Sequence, residues 1–269
     1  MDSRVRLKRQ ANRMHPPQGL IKKEGYGAAD IHIHSTASDG MASVVDILEF
    51  VAKRGDLNVI AITDHGEITG SYEARELAAK RHYPFEVVVG MELNTLDGHL
   101  LALFLEKPVP IGKHLVETIA AVHAQGGLCI APHPTSPFSE SISLKDISDI
   151  ISKGEPGIYF DGIETFNATI MGKFSNNRIK KINEKYKLAV MSSSDAHFLI
   201  CVGSGYTLFP GRTAADLRKS ILERTTIPMT GLYVSYFKIG LGQILKQQSK
   251  SRSFFVRGMI KNAVRCLRK

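Results

Sequence analysis

Asp30-Ile31-His32-Ile33-His34-Ser35-Thr36-Ala37-Ser38-Asp39-Gly40 is the stretch on which the reading of this chain turns. Residues 28–33 have the composition of a short strand. Alternate side chains of a strand share a face. Asp30, His32 and His34 are therefore expected to point one way, and Ile31 and Ile33 the other. Two histidines at i and i+2 beside a strand end can hold one metal ion together. Asp39 follows in a Ser-Asp-Gly turn, near enough to fold back over them. The plainer alternative is a polar strand end with two exposed histidines, and the flanking sequence has to decide between the two.

Strand and helix patterns alternate after this stretch. Ser43 caps an expected helix to Lys53, with Asp46 at the third position and Val44, Ile47, Leu48 and Val51 as its apolar stripe. Residues 57–62 read as a second strand ending in Thr63-Asp64-His65, and residues 69–80 as a helix. Residues 85–89 form a third strand ending in Gly90-Met91-Glu92, and residues 99–105 a fourth. A helix over 113–124 stops at Gly126-Gly127. A fifth strand, 128–131, ends at His133-Pro134 and precedes a helix over 144–152. A sixth, 157–163, ends at Glu164-Thr165-Phe166-Asn167 and precedes a helix over 175–186. A seventh, 188–191, ends at Ser194-Asp195-Ala196-His197. A last strand, 206–209, is followed by a helix from the Thr213 cap to Arg224.

This alternation predicts an α/β fold with mostly parallel strands. Seven or eight such units can close into a barrel, whose chemistry gathers at the C-terminal strand ends. His32, His34, His65, Glu92, His133, Glu164, Asp195 and His197 all fall at or just after such an end. His99 starts its strand instead, and joins the others if that strand runs antiparallel to the third.

Composition limits the alternatives. The 269 residues suit one large domain or two small ones, and 43% hydrophobic residues is ordinary for a globular chain. No apolar run is long enough to span a bilayer. The basic start has no apolar segment behind it and is not read as a secretory signal. Cys129, Cys201 and Cys266 are scattered and odd in number, which points to a reducing compartment, with the cytoplasm as the default. The net charge of +9 is uneven: residues 1–23 carry +6, residues 238–269 carry +9, and the stretch between them −6. An acidic body with basic ends does not describe a nucleic-acid groove on the body. Residues 1–25 are expected to form an irregular basic arm, 26–230 the barrel and 231–269 a basic helical tail.

Histidines and carboxylates without cysteine suit zinc, manganese or iron. Several carboxylates among the histidines imply more than one ion, because a carboxylate can bridge. Such a cluster is well suited to phosphate ester hydrolysis: a hydroxide held between metals attacks phosphorus, and the metals neutralise the oxygens around it.

Asp30-Ile31-His32-Ile33-His34-Ser35, Thr63-Asp64-His65, Gly90-Met91-Glu92, His99 before an apolar strand, His133-Pro134 and Ser194-Asp195-Ala196-His197 resemble the ordered motifs of the PHP superfamily, named from polymerase and histidinol phosphatase. The resemblance covers about residues 28–225, including a segment similar to the PHP-associated region. It implies a distorted (β/α)7 barrel with two or three divalent ions. By this resemblance His32, His34, Glu92 and Asp195 hold the first ion. Glu92 bridges to a second, completed by His99 and His133, and Asp39, His65 and His197 hold a third. The Asp39 position is a histidine in some relatives, and the Ser-Asp-Gly form is closer to small phosphoesterases acting on nucleotides, cyclic phosphates or short oligonucleotides.

Asp64 and His197 are the expected catalytic positions, Asp64 as a residue that orients a ligand, with a direct ligand as the alternative. Glu164 either faces the site or caps the barrel. Asn167, Lys173 and Arg178 are candidate phosphate contacts, with a plain helix surface as the alternative for the charges. In the tail, Phe255, Val256, Met259, Ile260, Ala263, Val264 and Leu267 fall on one helical face, and Arg257, Lys261, Arg265 and Arg268 on the other. Packing on the barrel is the first expectation for it. Contact with an anionic membrane surface, which would make the protein peripheral, or with RNA, is the second. The expected activity is metal-dependent hydrolysis of a small phosphomonoester, nucleotide or cyclic phosphate, as by a phosphatase. A nuclease for short or single-stranded nucleic acid, or an inactive metal-binding regulatory module, are the alternatives.

Overall fold

The computed structural model describes residues 23–134, 140–169, 176–229 and 234–267, with only the backbone for 177, 178, 236, 255 and 257–267. Lys173 lies outside the described residues, as does all of the expected basic arm before residue 23. Strands β1 (Tyr26–Ile33), β2 (Val59–Ile62), β3 (Glu86–Thr95), β4 (Gly98–Leu103), β5 (Leu128–Ala131), β6 (Gly162–Asn167), β7 (Ala189–Ser193), β8 (Tyr206–Pro210) and β9 (Ile227–Met229) form one sheet in the order β7-β6-β5-β4-β3-β2-β1-β8-β9. β1, β2 and β3 are parallel to one another, as are β5, β6 and β7, while β4 runs antiparallel to both β3 and β5. The sheet curls until its ends nearly meet. Ile33 bridges Ala196, and the Ser192 hydroxyl donates to the Met229 carbonyl at 2.7 Å. This is the distorted barrel that the motifs imply.

Helices α1 (Val44–Arg54), α2 (Thr69–Lys80), α3 (Leu115–His123), α4 (Leu144–Lys153), α5 (Asn176–Tyr186) and α6 (Ala214–Leu222) alternate with the strands, followed by α7 (Tyr236–Ile239) and α8 (Leu241–Leu267). Their ends follow local chemistry. Ser43 with Asp46 and Thr213 with Asp216 make reciprocal capping boxes, each worth about 1 kcal/mol. α1 stops at Gly55 in the left-handed region (φ 64°), which glycine adopts without strain.

Ala29, Ile31, Val59, Ala61, Val88, Leu101, Leu103, Ile130, Met191 and Phe209 fill the barrel interior. Leu217 and Ile221 of α6 plug the end opposite the site, where Arg218 reaches the Gly126 carbonyl ahead of β5. Strict alternation puts Ile31 and Ile33 together, but Ile33 packs in a separate cluster with Ala28, Val44 and Leu48. The β1–β2 register slips between Asp30 and Ile33. An irregularity of this kind re-aims side chains. Asp30, expected on the face of His32 and His34, instead accepts from the Ser194 N–H and hydroxyl and from the Gly203 N–H, holding the segment after β7, and joins none of the potential metal-holding groups among the described residues.

The sixth strand also departs from expectation. It begins at Gly162, not at residue 157. The Ile158 N–H closes a turn onto the Glu155 carbonyl, and Gly157 has φ 77°. Its register slips between Glu164 and Phe166.

Candidate metal centre

The strand ends bring the expected residues to one rim. His32 and His34 come from the end of β1, His65 from just after β2, and Glu92 from β3. His65 bridges Glu92 through the backbone. His99, at the start of β4, reaches the same rim because β4 is antiparallel and pairs His99 with Asn94. His133 follows β5, Glu164 stands in β6, and Asp195 and His197 follow β7.

Glu92 is buried at the centre and its two oxygens face different partners. Oε1 lies 3.0 Å from His99 Nδ1 and 3.0 Å from His133 Nε2. Oε2 lies 3.2 Å from His32 Nε2, 3.3 Å from His34 Nε2 and 3.3 Å from His65 Nδ1. Asp195 Oδ1 is 3.2 Å from His34 Nε2 and 3.6 Å from His32 Nε2. Asp39 Oδ1 lies 3.3 Å from His197 Nε2 and 3.9 Å from His34 Nδ1. Four overlapping groups have ligand atoms within 4.8 Å of one another: His34 with Asp39, His65 and His197; His32 with Glu92 and His133; His32 with His34 and Asp195; His65 with Glu92 and His99.

These groups fit metal ions. Both ring nitrogens of His34, Asp39 Oδ1 and His99 Nδ1 are buried and make no hydrogen bond among the described residues. Buried polar atoms left this way cost about 1–3 kcal/mol each, and lone pairs converging on shared points are what a divalent ion satisfies. A fifth group, His123 with Cys129 and Asp161, is different. Asp161 Oδ2 accepts from the Cys129 N–H (2.7 Å) and pairs with His123 Nε2 (3.0 Å), while His123 Nδ1 donates to the Gly157 carbonyl. That network is closed by its own hydrogen bonds.

Charge couples the members of the cluster. Burial opposes the ionisation of Glu92, but His65, His99 and His32 keep its carboxyl well below the usual range. Burial opposes that of Asp195 too, and His32 and His34 outweigh it. His32 is raised well above the ordinary imidazole value, burial being overcome by Asp195, Glu92 and Glu164. His99 rises to about 9 against burial through Glu92 and Glu140, and His197 to about 9 against burial through Asp39 and Asp195. His65 falls to about 3, because burial together with His34 and His99 outweighs Glu92.

A ring of neighbours orients the set. Glu164 faces the site: its Oε1 lies 3.0 Å from His32 Nδ1 and accepts from the Ser193 hydroxyl, and its Oε2 accepts from the His133 N–H at 2.8 Å. This fixes His32 with Nε2 toward Glu92. Asn167 is buried and donates to Glu164 Oε2 and Asp195 Oδ2, so it props those two carboxylates and is not placed as an open phosphate contact. The register slip in β6 turns it inward, which alternation in the sequence conceals. Asp64 accepts from the Ser35 N–H (2.7 Å), the Ser35 hydroxyl (2.6 Å) and the Ser38 hydroxyl (2.5 Å). Its carboxylate is engaged in holding the loop that carries Asp39. His133 (φ 28°) and Asp195 (φ 50°) sit in the left-handed region, a strain of about 1–3 kcal/mol each that gathers at functional sites. Asp195 and His197, with side chains 12% and 21% exposed, mark the opening.

Residues 30–198 match the PHP domain family, and residues 173–226 match the family described as PHP-associated. An uncharacterized protein of Methanocaldococcus jannaschii is 36% identical over 160 residues, covering 55% of this chain and 86% of that protein. Shorter matches, about a third or less of each protein, are to a 5′-3′ exoribonuclease of Haemophilus influenzae (39% over 85 residues, 30% of each chain) and to a phosphoribosyl 1,2-cyclic phosphate 1,2-diphosphodiesterase of Eggerthella lenta (36% over 87 residues, 30% of this chain and 32% of that one). Among solved structures, a two-domain protein of Bacteroides vulgatus containing a predicted PHP-like metal-dependent phosphoesterase aligns with TM-score 0.65 at 18% identity, over 88% of this chain and 74% of that one; the likeness is one of fold. With its PHP domain matched over 30–198, its PHP-associated segment over 173–226 and its motif residues gathered at one rim, the chain belongs to the PHP family and is a metal-dependent phosphoester hydrolase.

Proposed function

We propose that the protein hydrolyses a small phosphorylated substrate, a phosphomonoester, nucleotide or cyclic phosphate, at the cluster around Glu92. The observation that carries this reading is the division of the Glu92 oxygens, one toward His99 and His133, the other toward His32, His34 and His65. A carboxylate so placed suits a bridge between two ions. His32, His34, Glu92 and Asp195 would hold one, Glu92, His99 and His133 a second, and Asp39, His65 and His197 a third, with zinc, manganese or iron as the fitting metals. Divalent ions bound there supply charge neutralisation and an activated water for attack on phosphorus. The protein's own residues do the rest. Glu164 and Asn167 hold His32 and Asp195 in register. Asp64 acts through the loop, keeping Asp39 in place. His197, partly exposed at the opening, would meet the substrate.

A second reading, cleavage of short or single-stranded nucleic acid, is favoured by the stretch shared with the H. influenzae exoribonuclease. The acidic body argues against long duplexes, which need several phosphates neutralised at once. An inactive regulatory module is disfavoured by the full set of ligand types at every motif. The test is a hydrolysis screen of metal-loaded protein against phosphomonoesters, cyclic phosphates and short oligonucleotides. Turnover of the first two classes above the oligonucleotides supports the first reading, and the reverse order supports the second.

A further inference from the structure

Charge and composition set the tail apart from the barrel, but α8 reaches into the metal centre. Gln247 is buried, and its amide nitrogen donates to Asp39 Oδ2 at 3.2 Å. Gln248 donates to Gln247 Oε1 at 3.1 Å, which orients the Gln247 amide with its nitrogen toward Asp39. Three residues on, and on the same helix face, the Lys250 ammonium donates to the carbonyls of Gly40 (2.6 Å) and Thr36 (3.4 Å). The loop between those carbonyls is held from the other side by Ser35 and Ser38 on Asp64, and the Met41 N–H donates to the His197 carbonyl. It has no slack at Gly40, where a Cβ would stand 2.2 Å from the His34 carbonyl oxygen. The Asp39 carboxylate is thus divided: Oδ2 is tied to the helix, while Oδ1 faces His34, His65 and His197 and makes no hydrogen bond among the described residues.

We propose that Gln247 is a positioning residue of the metal centre, and that α8 sets how tightly the ion at Asp39, His65 and His197 is held. The proposal rests on the reading of Asp39 as a ligand. A hydrogen bond to one carboxylate oxygen fixes the plane of the group and presents the other oxygen to the ion as a single donor atom. Removal of such a partner costs about 10–100-fold in metal affinity. The membrane and RNA contacts expected of the tail have no support in what is described. Val256 is exposed, and the side chains of Phe255 and residues 257–267 lie outside the described set.

The experiment measures ions bound per chain, by mass spectrometry of full-length protein equilibrated against graded manganese with a competing chelator. Gln247→Leu keeps the bulk and removes the donor. Gln247→Met keeps the length of the side chain and also offers no donor. Leu245→Ala, at an exposed position on α8, is the control. The expected result is a ~10–100-fold weaker affinity for one ion in both Gln247→Leu and Gln247→Met, and wild-type binding in the control. If Gln247→Leu does not fold, Gln247→Met decides. Wild-type affinity for every ion in the Gln247 variants overturns the proposal, provided Asp39→Asn weakens one ion. If Asp39→Asn binds like the wild type, the ligand reading of Asp39 falls and the proposal falls with it.

Discussion

Replacing Glu164 by glutamine changes one atom and should disable His32 as a ligand. Glu164 is buried, with Oε1 toward His32 Nδ1 (3.0 Å) and the Ser193 hydroxyl, and Oε2 toward two donors, the His133 N–H (2.8 Å) and the Asn167 amide (3.1 Å). Glutamine keeps one oxygen. If that oxygen stays with His133 and Asn167, the new NH2 faces His32 Nδ1 and makes it an acceptor. The ring proton then sits on Nε2, the nitrogen facing Glu92 and Asp195, where an ion needs a lone pair. The cost is about 10–100-fold in affinity, or roughly 1.4–2.7 kcal/mol. If the amide turns over, two buried donors meet an NH2 group, at about 1–3 kcal/mol each. The loss then appears as a lowered Tm, about 2–4 °C for each kcal/mol in a chain of this size. A chelator-competition titration and a thermal melt on the same sample read both branches. Unchanged affinity together with unchanged Tm would refute the orientation assigned to His32.

Other outcomes follow from the same geometry. Glu92→Gln should lose two ions together and reduce hydrolysis more than His65→Ala, which should release mainly one; metal content per chain, measured beside the rate, separates them. Gly40→Ala should weaken binding at Asp39 and lower Tm, because the added Cβ would lie 2.2 Å from the His34 carbonyl oxygen and 2.7 Å from that of Ser35, both rigid backbone. Metal affinity should rise with pH up to about 9, because His99 and His197 keep their protons to about 9 in the metal-free protein and an ion must displace them; calorimetry in buffers of different ionisation enthalpy counts the protons released. The sign for stability is opposite: these raised values stabilise the metal-free fold fully below about 6.5, and that contribution is lost as pH rises through about 9. His123→Leu should lower Tm by breaking the Asp161 network yet leave metal content unchanged.

Much of this was legible in the sequence because parallel strands put their C-terminal ends on one rim. His32, His65, Glu92, His133 and Asp195 declare themselves by position alone. His99 needed one condition, an antiparallel β4, and the Asn94–His99 pairing supplies it. Local pattern fails where the backbone breaks its own period. The slip between Asp30 and Ile33 parts Ile33 from the cluster of Ile31, Asp30 is taken up by Ser194, and the slip after Glu164 brings Asn167 inward. Glu164 had two open placements, since nothing nearby in the chain marks its partner His32, 132 residues away. Gln247 was missed altogether. A glutamine in a basic helix carries no local signal of Asp39, 208 residues before it.

The cluster around Glu92 is proposed to hydrolyse a phosphate ester. The most direct test is the release of phosphate from a phosphomonoester by manganese-loaded protein in water enriched in oxygen-18. Attack of water on phosphorus predicts one labelled oxygen in the phosphate and none in the alcohol. It also predicts loss of the reaction with chelator and recovery when metal is returned. Label in the alcohol, or an undiminished rate in Glu92→Gln, would show that the cluster around Glu92 does not direct water to phosphorus.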